Sequence, residues 1–225
     1  MKRILAFGVL AVAAVYAYVG IGVSAIGPTI TERFTAAGAA QTGDSGAYNF
    51  DKAHSFIGFK VKHMGLIEVP GFFRDFTGTV NYDAKDVTKS SVEFTAKTTS
   101  VDTGVAPRDR HLRTADFFDV EKFPDLTFKS TKVEKKGKNL MVTGNFTLRG
   151  VTKSISFPVQ IAGFLGSERG TRMGVTGETS INRRDFGVNY GKDLPNGTAE
   201  LSDDVKITLQ IEANMSKQPA AAKTE

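Results

Sequence analysis

The chain has 225 residues, a hydrophobic fraction of 40% and a formal charge of +5, to which Lys2 and Arg3 contribute. This length suits one barrel-sized domain or two small domains, and the hydrophobic fraction excludes wholesale disorder. The absence of cysteine excludes disulfides, thiolate nucleophiles and cysteine-ligated zinc, and the scattered lysines and arginines form no block that would follow a nucleic-acid backbone.

Residues 1–26 have the pattern of a signal peptide or an N-terminal membrane anchor. Lys2 and Arg3 precede an uncharged stretch from Ile4 to Ile26, and Val23-Ser24-Ala25 fits the small-x-small pattern that precedes signal peptidase cleavage. The same stretch is long enough to span a bilayer uncleaved, so membrane association through residues 4–26 stays open. Both interpretations predict export to the periplasm, as a soluble protein or tethered to the inner membrane.

Two further segments show no regular spacing of apolar residues. Residues 27–46 are rich in Ala, Gly and Thr and are interpreted as a linker, and residues 217–225 as a flexible tail. The remaining residues, 47–216, are predicted to form one folded domain.

Apolar residues in this domain recur with a period of two, which is typical of strands with one buried face. Ile57, Phe59 and Val61 alternate with small or charged residues, and a second stretch is predicted to place Phe72 and Phe76 on one face with Val80 and Tyr82. The pattern continues through Val92, Phe94, Ala96, Leu126, Phe128, Leu140, Val142, Phe146, Leu148, Ile155, Phe157, Val159, Ile161, Met173, Val175, Ile181, Val205, Ile207, Leu209 and Ile211.

These positions indicate about eight strands joined by short links. An antiparallel sheet with one apolar face either closes into a barrel or folds into a sandwich. We predict an all-β fold, an eight-stranded antiparallel barrel with a short helical insert, whose interior can hold one small ligand. A sandwich is the alternative.

The strand pattern is interrupted between Val101 and Pro124. Pro107 is well placed to open a helix, and the charged run from Arg108 to Arg113 lies just before Phe117 and Phe118. Because functional residues tend to collect in connections, this insert is the first place to look for a binding site.

Several short motifs, in order along residues 48–213, resemble those of the YceI-like proteins. They are His54-Ser55-x-x-x-Phe59-x-Val61-x-His63, Gly71-Phe72-Phe73, Arg108-Asp109-x-His111-Leu112-Arg113, Asp116-Phe117-Phe118-Asp119 with Phe123-Pro124, Gly144-x-x-x-Leu148-x-Gly150-Val151-Thr152, Arg184-Asp185-Phe186-Gly187 and Leu201-Ser202-Asp203-x-Val205. The resemblance implies a lipocalin-like barrel, exported in bacteria, that carries or sequesters a polyisoprenoid, an isoprenoid quinone or a similar long amphiphile. Members of this family are sometimes linked to stress, and the choice between transport, storage and stress protection stays open.

A polyisoprenoid tail offers almost nothing to hydrogen-bond, so its site needs shape and apolar area. The chain contains 17 Phe and no Trp, which suits such an interior. The predicted lining residues, each of which could instead be ordinary core, are Phe59, Phe72, Phe94, Phe128, Phe146, Phe157 and Phe164. No cofactor is expected other than such a bound quinone or polyprenyl lipid.

A ligand head group would need a few polar partners near the barrel mouth. The residues predicted for this role are Arg108, Asp109, His111, Phe117, Phe118 and Arg184, with Asp185 beside the last. In the alternative interpretation, Arg108 and Asp109 pair with Asp185 or Arg184 and only fasten the insert to the barrel.

Two other classes of function stay open. An enzyme would use His111 as a general base oriented by Asp109 or Asp116, with Arg108 as an anion clamp, but no Gly-x-Ser-x-Gly elbow and no close histidine pair for a metal is present. A tethered interaction module would bind a membrane partner through its barrel rim. We predict a binding protein rather than an enzyme, with no metal and no nucleic-acid partner, and leave a homodimer open.

Overall fold

The computed structural model describes residues 43–168 and 170–216. The predictions of a signal peptide or anchor at residues 1–26, of the flexible tail at 217–225 and of most of the linker at 27–46 lie outside the described residues. Within the described ranges, no helix has the length and apolar character needed to cross a bilayer.

The described chain is built from strands, with one α-helix and three short 3-10 helices. The strands are β1 Gly46–Phe50, β2 Phe56–His63, β3 Ile67–Phe73, β4 Phe76–Tyr82, β5 Ser91–Lys97, β6 Val101–Asp102, β7 Asp125–Lys136, β8 Asn139–Leu148, β9 Val151–Ser167, β10 Gly170–Asn182 and β11 Leu201–Ser216. The helix α1 is Ala106–Leu112, and the 3-10 helices are Val87–Lys89, Thr98–Ser100 and Arg183–Phe186.

Six of these strands are halves of three longer, interrupted strands. β1 and β2 both pair with β11, along successive parts of it. β4 pairs with β1, and β3 pairs with β2. β5 in turn pairs with β4, and β6 pairs with β3. Counting each interrupted strand once, eight antiparallel strands follow one another around the sheet, and the β1–β11 pairing closes it. The predicted eight-stranded barrel with a short helical insert is therefore confirmed, and the sandwich is not formed.

The period-two pattern places the apolar side chains inside this barrel. Ile57, Phe128, Phe146 and Phe157 are all buried, and with other inward residues they form one continuous core. Burying a side chain of this size stabilises the fold by roughly 1.5–3 kcal/mol. A cysteine-free domain can obtain its stability from this core and from the absence of an open sheet edge.

The interruption between β3 and β4 reverses which residues face inward. Phe73 and Phe76 are both buried although they are three positions apart, so Arg74 and Asp75 break the alternation. Phe72 consequently lies on the outer face, where its ring is 5.8 Å from that of Phe56 and 4.8 Å below the Arg74 guanidinium. The prediction that Phe72 shares a face with Phe76 was wrong, because it assumed that the alternation of inward and outward side chains continues through the break.

The interruption between β1 and β2 is held together by side chains. The Asp51 amide donates to the Glu212 carbonyl at 2.8 Å, and the Ser55 hydroxyl donates to the same carbonyl at 3.1 Å while accepting from the Glu212 amide at 2.9 Å. The Asp51 carboxylate also bonds the His54 ring at 2.9 Å. These bonds replace the missing ladder bonds at the break, which gives the His54-Ser55 motif a structural role.

Candidate functional site

Two cavities formed by the described residues lie inside the barrel, and we call them the large and the small chamber. The large chamber has a volume of about 310 Å³ and lies at the end of the barrel that carries α1, which we call the insert end. The small chamber, of about 70 Å³, lies towards the opposite end, the far end. Phe94 lines both chambers.

A row of phenylalanine rings separates the two chambers. Phe94 lies opposite Phe128 in the pairing of β5 with β7, and their rings stack with centroids 5.7 Å apart. Phe157 continues the row 5.4 Å from Phe128, and Phe50 lies 6.4 Å from Phe94 on the other side. We call these four rings the phenylalanine partition. Phe94 is the ring of this row that borders the large chamber, and the other three border the small one.

The walls of the large chamber are apolar, and its polar residues gather at the insert end. The apolar wall consists mainly of Ile57, Phe59, Val61, Val69, Phe73, Phe146, Leu148, Ile181, Val205 and Ile207. The polar residues that reach the chamber are His63, Thr103, Arg108, His111, Arg183, Tyr190 and Glu200. Since Tyr190 is also exposed to solvent, the chamber reaches the surface here, and we call this place the mouth.

The start of α1 is fixed by two hydrogen bonds to Asp109. Pro107 occupies the first turn, where its missing N–H costs nothing, and the buried Asp109 carboxylate accepts from the amide and the hydroxyl of Thr103 at 2.9 and 2.6 Å. Asp109 does not line the chamber. Arg108 does, and it donates from Nε and Nη2 to the Thr103 hydroxyl and carbonyl at 2.7 and 3.0 Å.

His111 forms the aromatic side of the mouth. Its ring packs edge-on against Phe117 and Tyr190, with centroid distances of 5.1 and 4.8 Å, and its Nε2 lies 2.8 Å from a carboxylate oxygen of Asp116. All of these except Asp116 line the large chamber, together with Phe118. A planar, partly polar group would find both ring faces and hydrogen-bonding atoms here.

Arg183 is a chamber residue that sequence reasoning missed. It is 4% exposed and donates to the carbonyl oxygens of Ser202, Val188 and Leu201 at 2.9, 2.8 and 3.3 Å. Burial, and then the neighbouring Arg184 charge, lower the pKa of Arg183. The sequence contained a signal for this residue, because side chains two positions apart on a strand face the same way and Ile181 faces inward.

The seven predicted lining residues are divided among four locations. Phe59 and Phe146 face the large chamber, Phe94 faces both, and Phe128 and Phe157 face the small one. Phe164 lines neither and closes the far end against Tyr48 and Tyr82, with centroids 6.0 and 5.0 Å away. Phe72 lies outside, as described above, which removes it from the lining.

The predicted head-group residues are also divided. Arg108, His111, Phe117 and Phe118 meet at the mouth, whereas Asp109 is turned to Thr103. Arg184 does not line either chamber, and its Nε donates to Asp203 at 2.6 Å. Their roles towards a ligand stay predictions, but Asp109 and Arg184 have no direct access to either chamber.

The alternative in which Arg108 and Asp109 pair with Arg184 or Asp185 does not match the described contacts. Asp185 instead lies 3.2 Å from Lys153. The insert is fastened by two other arginines. Arg113 donates to the carbonyls of Thr99 and Val101, both at 2.8 Å, and Arg149 donates to those of Ala115 and Phe117 at 2.6 and 2.5 Å.

One group of side chains among the described residues has potential metal ligands close together. Ligand atoms of Asp51, His54 and Glu212 lie within 4.8 Å of one another, at the break between β1 and β2. Glu212 is paired with the Arg172 guanidinium, and Asp51 accepts from His54 and Asn214. These bonds lower the pKa of Asp51, with the His54 hydrogen bond as the largest cause. Both carboxylates of the cluster thus already have hydrogen-bonding or charged partners.

Fold and site together define the class: a small closed β-barrel with an apolar chamber and a polar mouth on one end. The YceI-like domain model matches residues 48–213. Protein YceI of Escherichia coli O17:K52:H18 is 38% identical over 198 residues, which cover 86% of this chain and 98% of that protein. The chain belongs to the YceI-like domain family.

Solved structures agree with this assignment. The YCEI protein of Campylobacter jejuni is 33% identical, with a TM-score of 0.59 over 74% of this chain and 96% of that chain. BcnA of Burkholderia cenocepacia has a TM-score of 0.66 over 73% of this chain and 99% of that chain, at 24% identity. A polyisoprenoid binding domain from Saccharophagus degradans has a TM-score of 0.55 at 17% identity, over 74% and 97% of the two chains. The latter two show a common fold.

Proposed function

We propose that this protein is an exported binding protein that carries or sequesters a polyisoprenoid, an isoprenoid quinone or a similar long amphiphile in its large chamber. The observation that carries this proposal is the distribution of polarity in that chamber, which is apolar along its walls and polar only at the mouth. An amphiphile with one polar end has the same distribution. The volume of about 310 Å³ lies at the lower end of the range of known small-molecule sites.

The energetics favour a hydrocarbon tail. Burying one five-carbon unit is worth roughly 3–4 kcal/mol gross, at about 0.8 kcal/mol per methylene-sized group. A few units therefore drive binding without any polar contact, after the costs of association and ordering are subtracted. The Saccharophagus degradans domain of the same fold is described as polyisoprenoid binding, which supports this class of ligand.

The mouth would select the head group. Arg183 is committed to three backbone carbonyls and to Asp203, so it is better suited to shape the mouth than to bind a ligand. Arg108 and the aromatic pair His111 and Tyr190 lie at the surface end of the chamber and suit a quinone or phenol ring. In this proposal they orient the head group while the walls hold the tail.

The contact between His111 and Asp116 is the one observation that favours an enzyme. The two side chains are 2.8 Å apart, as in a general base with its orienting carboxylate, but both are substantially exposed. Thr103, a hydroxyl residue of the chamber lining, already donates to Asp109 and accepts from Arg108. We therefore propose binding rather than catalysis, and export of the mature barrel to the periplasm as the N-terminal sequence predicts.

The experiment is native mass spectrometry of the protein purified from a membrane-containing bacterial host, followed by organic extraction. We expect a discrete added mass that extracts as a prenyl lipid. The variant Phe146→Asp, which places a carboxylate in the chamber wall, should lose that mass, whereas Lys129→Ala on the outer surface should keep it. An empty wild-type barrel that also fails to take up long-chain quinones, with a native circular dichroism spectrum, would overturn the proposal.

A further inference from the structure

The turn between β2 and β3 exposes three apolar side chains to solvent. Met64, Leu66 and Ile67 are 40%, 78% and 64% exposed, and we call residues 64–67 the apolar tip. Met64 and Gly65 both have positive φ, of 51° and 71°, which gives the tight turn that matches strand twist. The tip is thus an ordered surface rather than a loose loop.

Hydrogen bonds hold the apolar tip in place. The Met64 amide donates to the Glu200 carbonyl at 2.9 Å, and the Leu66 amide donates to the His63 carbonyl at 2.9 Å. A Cβ added to Gly65 would lie 2.8 Å from the Thr198 methyl group, so the turn also packs closely against the loop before β11. The side chains of Leu66 and Ile67 nevertheless stay in solvent. Neighbouring exposed aliphatic residues on an ordered surface mark an interaction site.

The apolar tip stands beside the mouth of the large chamber. His63 directly precedes the tip and lines the chamber, as do Val69 of β3 and Leu201 of β11. His63 pairs with both Ile67 and Leu201 in the sheet. A surface that covered the tip would therefore also cover the chamber opening.

The outer face next to the tip carries an excess of positive charge. Lys60 and Lys206 both contact Glu68, the first at 3.9 Å, and Lys62 lies opposite Glu68 in the pairing of β2 with β3. All three lysines act on the Glu68 carboxylate and lower its pKa, with the Lys206 hydrogen bond as the largest cause. Glu178 also acts on Lys206, so three lysines face two carboxylates and one positive charge is left over, which favours an anionic surface.

We propose that the apolar tip and the three lysines Lys60, Lys62 and Lys206 dock the barrel onto an anionic lipid bilayer, with the mouth of the large chamber against the membrane. Aliphatic side chains with adjacent lysines are the combination that favours the interface of an anionic membrane. The docked barrel would receive its ligand from the bilayer or return it there without passage through water. Docking is separate from ligand binding and can fail while the proposed function holds.

The test uses the full chain, which contains no tryptophan. Leu66→Trp places a single fluorophore on the apolar tip. Leu165→Trp is its matched control, since Leu165 is 63% exposed and lies on β9 at the far end. Each variant is mixed with vesicles of phosphatidylcholine and phosphatidylglycerol that contain brominated lipid. We expect a blue shift and strong quenching for Leu66→Trp and neither for Leu165→Trp.

The two variants separate docking through the tip from attachment elsewhere. The described chain enters at Gly43, next to the ring of Phe164, and therefore at the far end. Attachment that brings the far end to the bilayer would quench Leu165→Trp more than Leu66→Trp. Stronger quenching of Leu165→Trp, or no response of Leu66→Trp, would overturn the proposal, and a protein partner would then be the remaining occupant of the tip.

The charge contribution is tested in the Leu66→Trp background. Lys60→Glu with Lys62→Glu should reduce apparent vesicle affinity at least about thirtyfold, since each basic residue near an anionic leaflet contributes about 1 kcal/mol and two are lost. The matched control is Lys136→Glu with Lys138→Glu, a double reversal in the exposed turn after β7 at the far end. Equal losses from the two double variants would overturn the role of the lysines. Native mass spectrometry of the same variants should show unchanged ligand content, which separates docking from binding.

Discussion

At the scale of single residues, Phe94 occupies the position with the largest consequence for a ligand. Its ring is the one that borders both chambers, and Phe128 stacks on it from the next strand. Under the proposed function, a tail that enters from the mouth would meet Phe94 after it has filled the large chamber. The phenylalanine partition would then limit the length of tail that the barrel accepts.

The variant Phe94→Ala should join the two chambers. We expect a loss of about 3–5 kcal/mol in the free energy of unfolding, as for other large-to-small changes in a core, and a shift of the extracted ligands towards longer tails. Urea denaturation and mass spectrometry of the extract measure the two effects. Phe72→Ala on the outer face is the control and should change neither ligand length nor, by more than about 1 kcal/mol, stability. An unchanged ligand length in Phe94→Ala would show that the partition is no barrier.

The variant Arg108→Ala tests selection of the head group. Arg108 reaches the mouth, so its removal should weaken binding of a quinone while leaving binding of a bare polyprenyl tail within about twofold. Competition between the two ligands on the purified barrel measures this ratio. Arg184→Ala removes an arginine that pairs with Asp203 away from the chamber, and should leave the ratio unchanged. Equal weakening for both ligands in Arg108→Ala would assign Arg108 to structure.

At the scale of elements, the insert is connected to the barrel by a small number of directed bonds. Asp109 holds Thr103 at the start of α1. Arg113, just after α1, donates to carbonyls that precede the helix, and Arg149 donates to carbonyls that follow it. Because α1 has only seven residues, it depends on these contacts rather than on its own helix propensity. The insert is therefore sensitive to single side chains.

The variant Asp109→Ala should loosen the insert. It leaves the Thr103 amide and hydroxyl without their acceptor, a loss of about 1–3 kcal/mol. We expect faster hydrogen exchange in residues 103–113 and faster release of bound ligand, with little change in β8–β10. Asp116→Ala, at an exposed position in the same insert, is the control. Uniform acceleration of exchange throughout the barrel would contradict a local role for Asp109.

The break between β1 and β2 gives a pH-dependent contribution to stability. The hydrogen bond from His54 lowers the pKa of Asp51 below its ordinary value of 3.8. A carboxylate with a lowered pKa stabilises the fold above the ordinary value, and this contribution is lost as the pH falls through the lowered one. The stability difference between wild type and Asp51→Asn should therefore shrink as the pH falls below about 4. Urea midpoints between pH 3 and 7 measure it, and a constant difference would contradict this account.

At the scale of the whole molecule, closure of the sheet and the chamber inside it are linked. The β1–β11 pairing removes the open edge of the sheet, which stabilises the barrel. The same closure surrounds a chamber of about 310 Å³ with apolar walls. Under the proposed function, a bound tail would contact those walls and stabilise the folded barrel.

Removal of the ligand should lower the thermal midpoint of the barrel. A ligand present at about one hundred times its Kd adds about 2.7 kcal/mol to the free energy of unfolding. Extraction with organic solvent, refolding and differential scanning calorimetry with and without added long-chain quinone measure the effect. Phe146→Asp should show no gain on ligand addition, and a wild-type barrel that gains nothing would contradict a chamber built for a tail.

The sequence by itself determined the strand pattern, the number of strands and the family. Alternation of Ile57, Phe59 and Val61 with polar residues reflects the backbone of one strand, in which successive side chains point to opposite faces. The insert was equally visible, because Pro107 and the charges after it interrupt that alternation. These are local properties, and local physics suffices to predict them.

Only the tertiary structure decided which of the aromatic and charged side chains meet. The break at Arg74 and Asp75 turned Phe72 outward, and the pairing of β5 with β7 placed Phe94 and Phe128 side by side inside the barrel. The bonds from Arg183 to the Ser202, Val188 and Leu201 carbonyls have the same origin, although its inward direction follows from the strand alternation after Ile181. A one-residue change in register moves a side chain from one face of a sheet to the other, and the register of a closed barrel is set by all of its strands together.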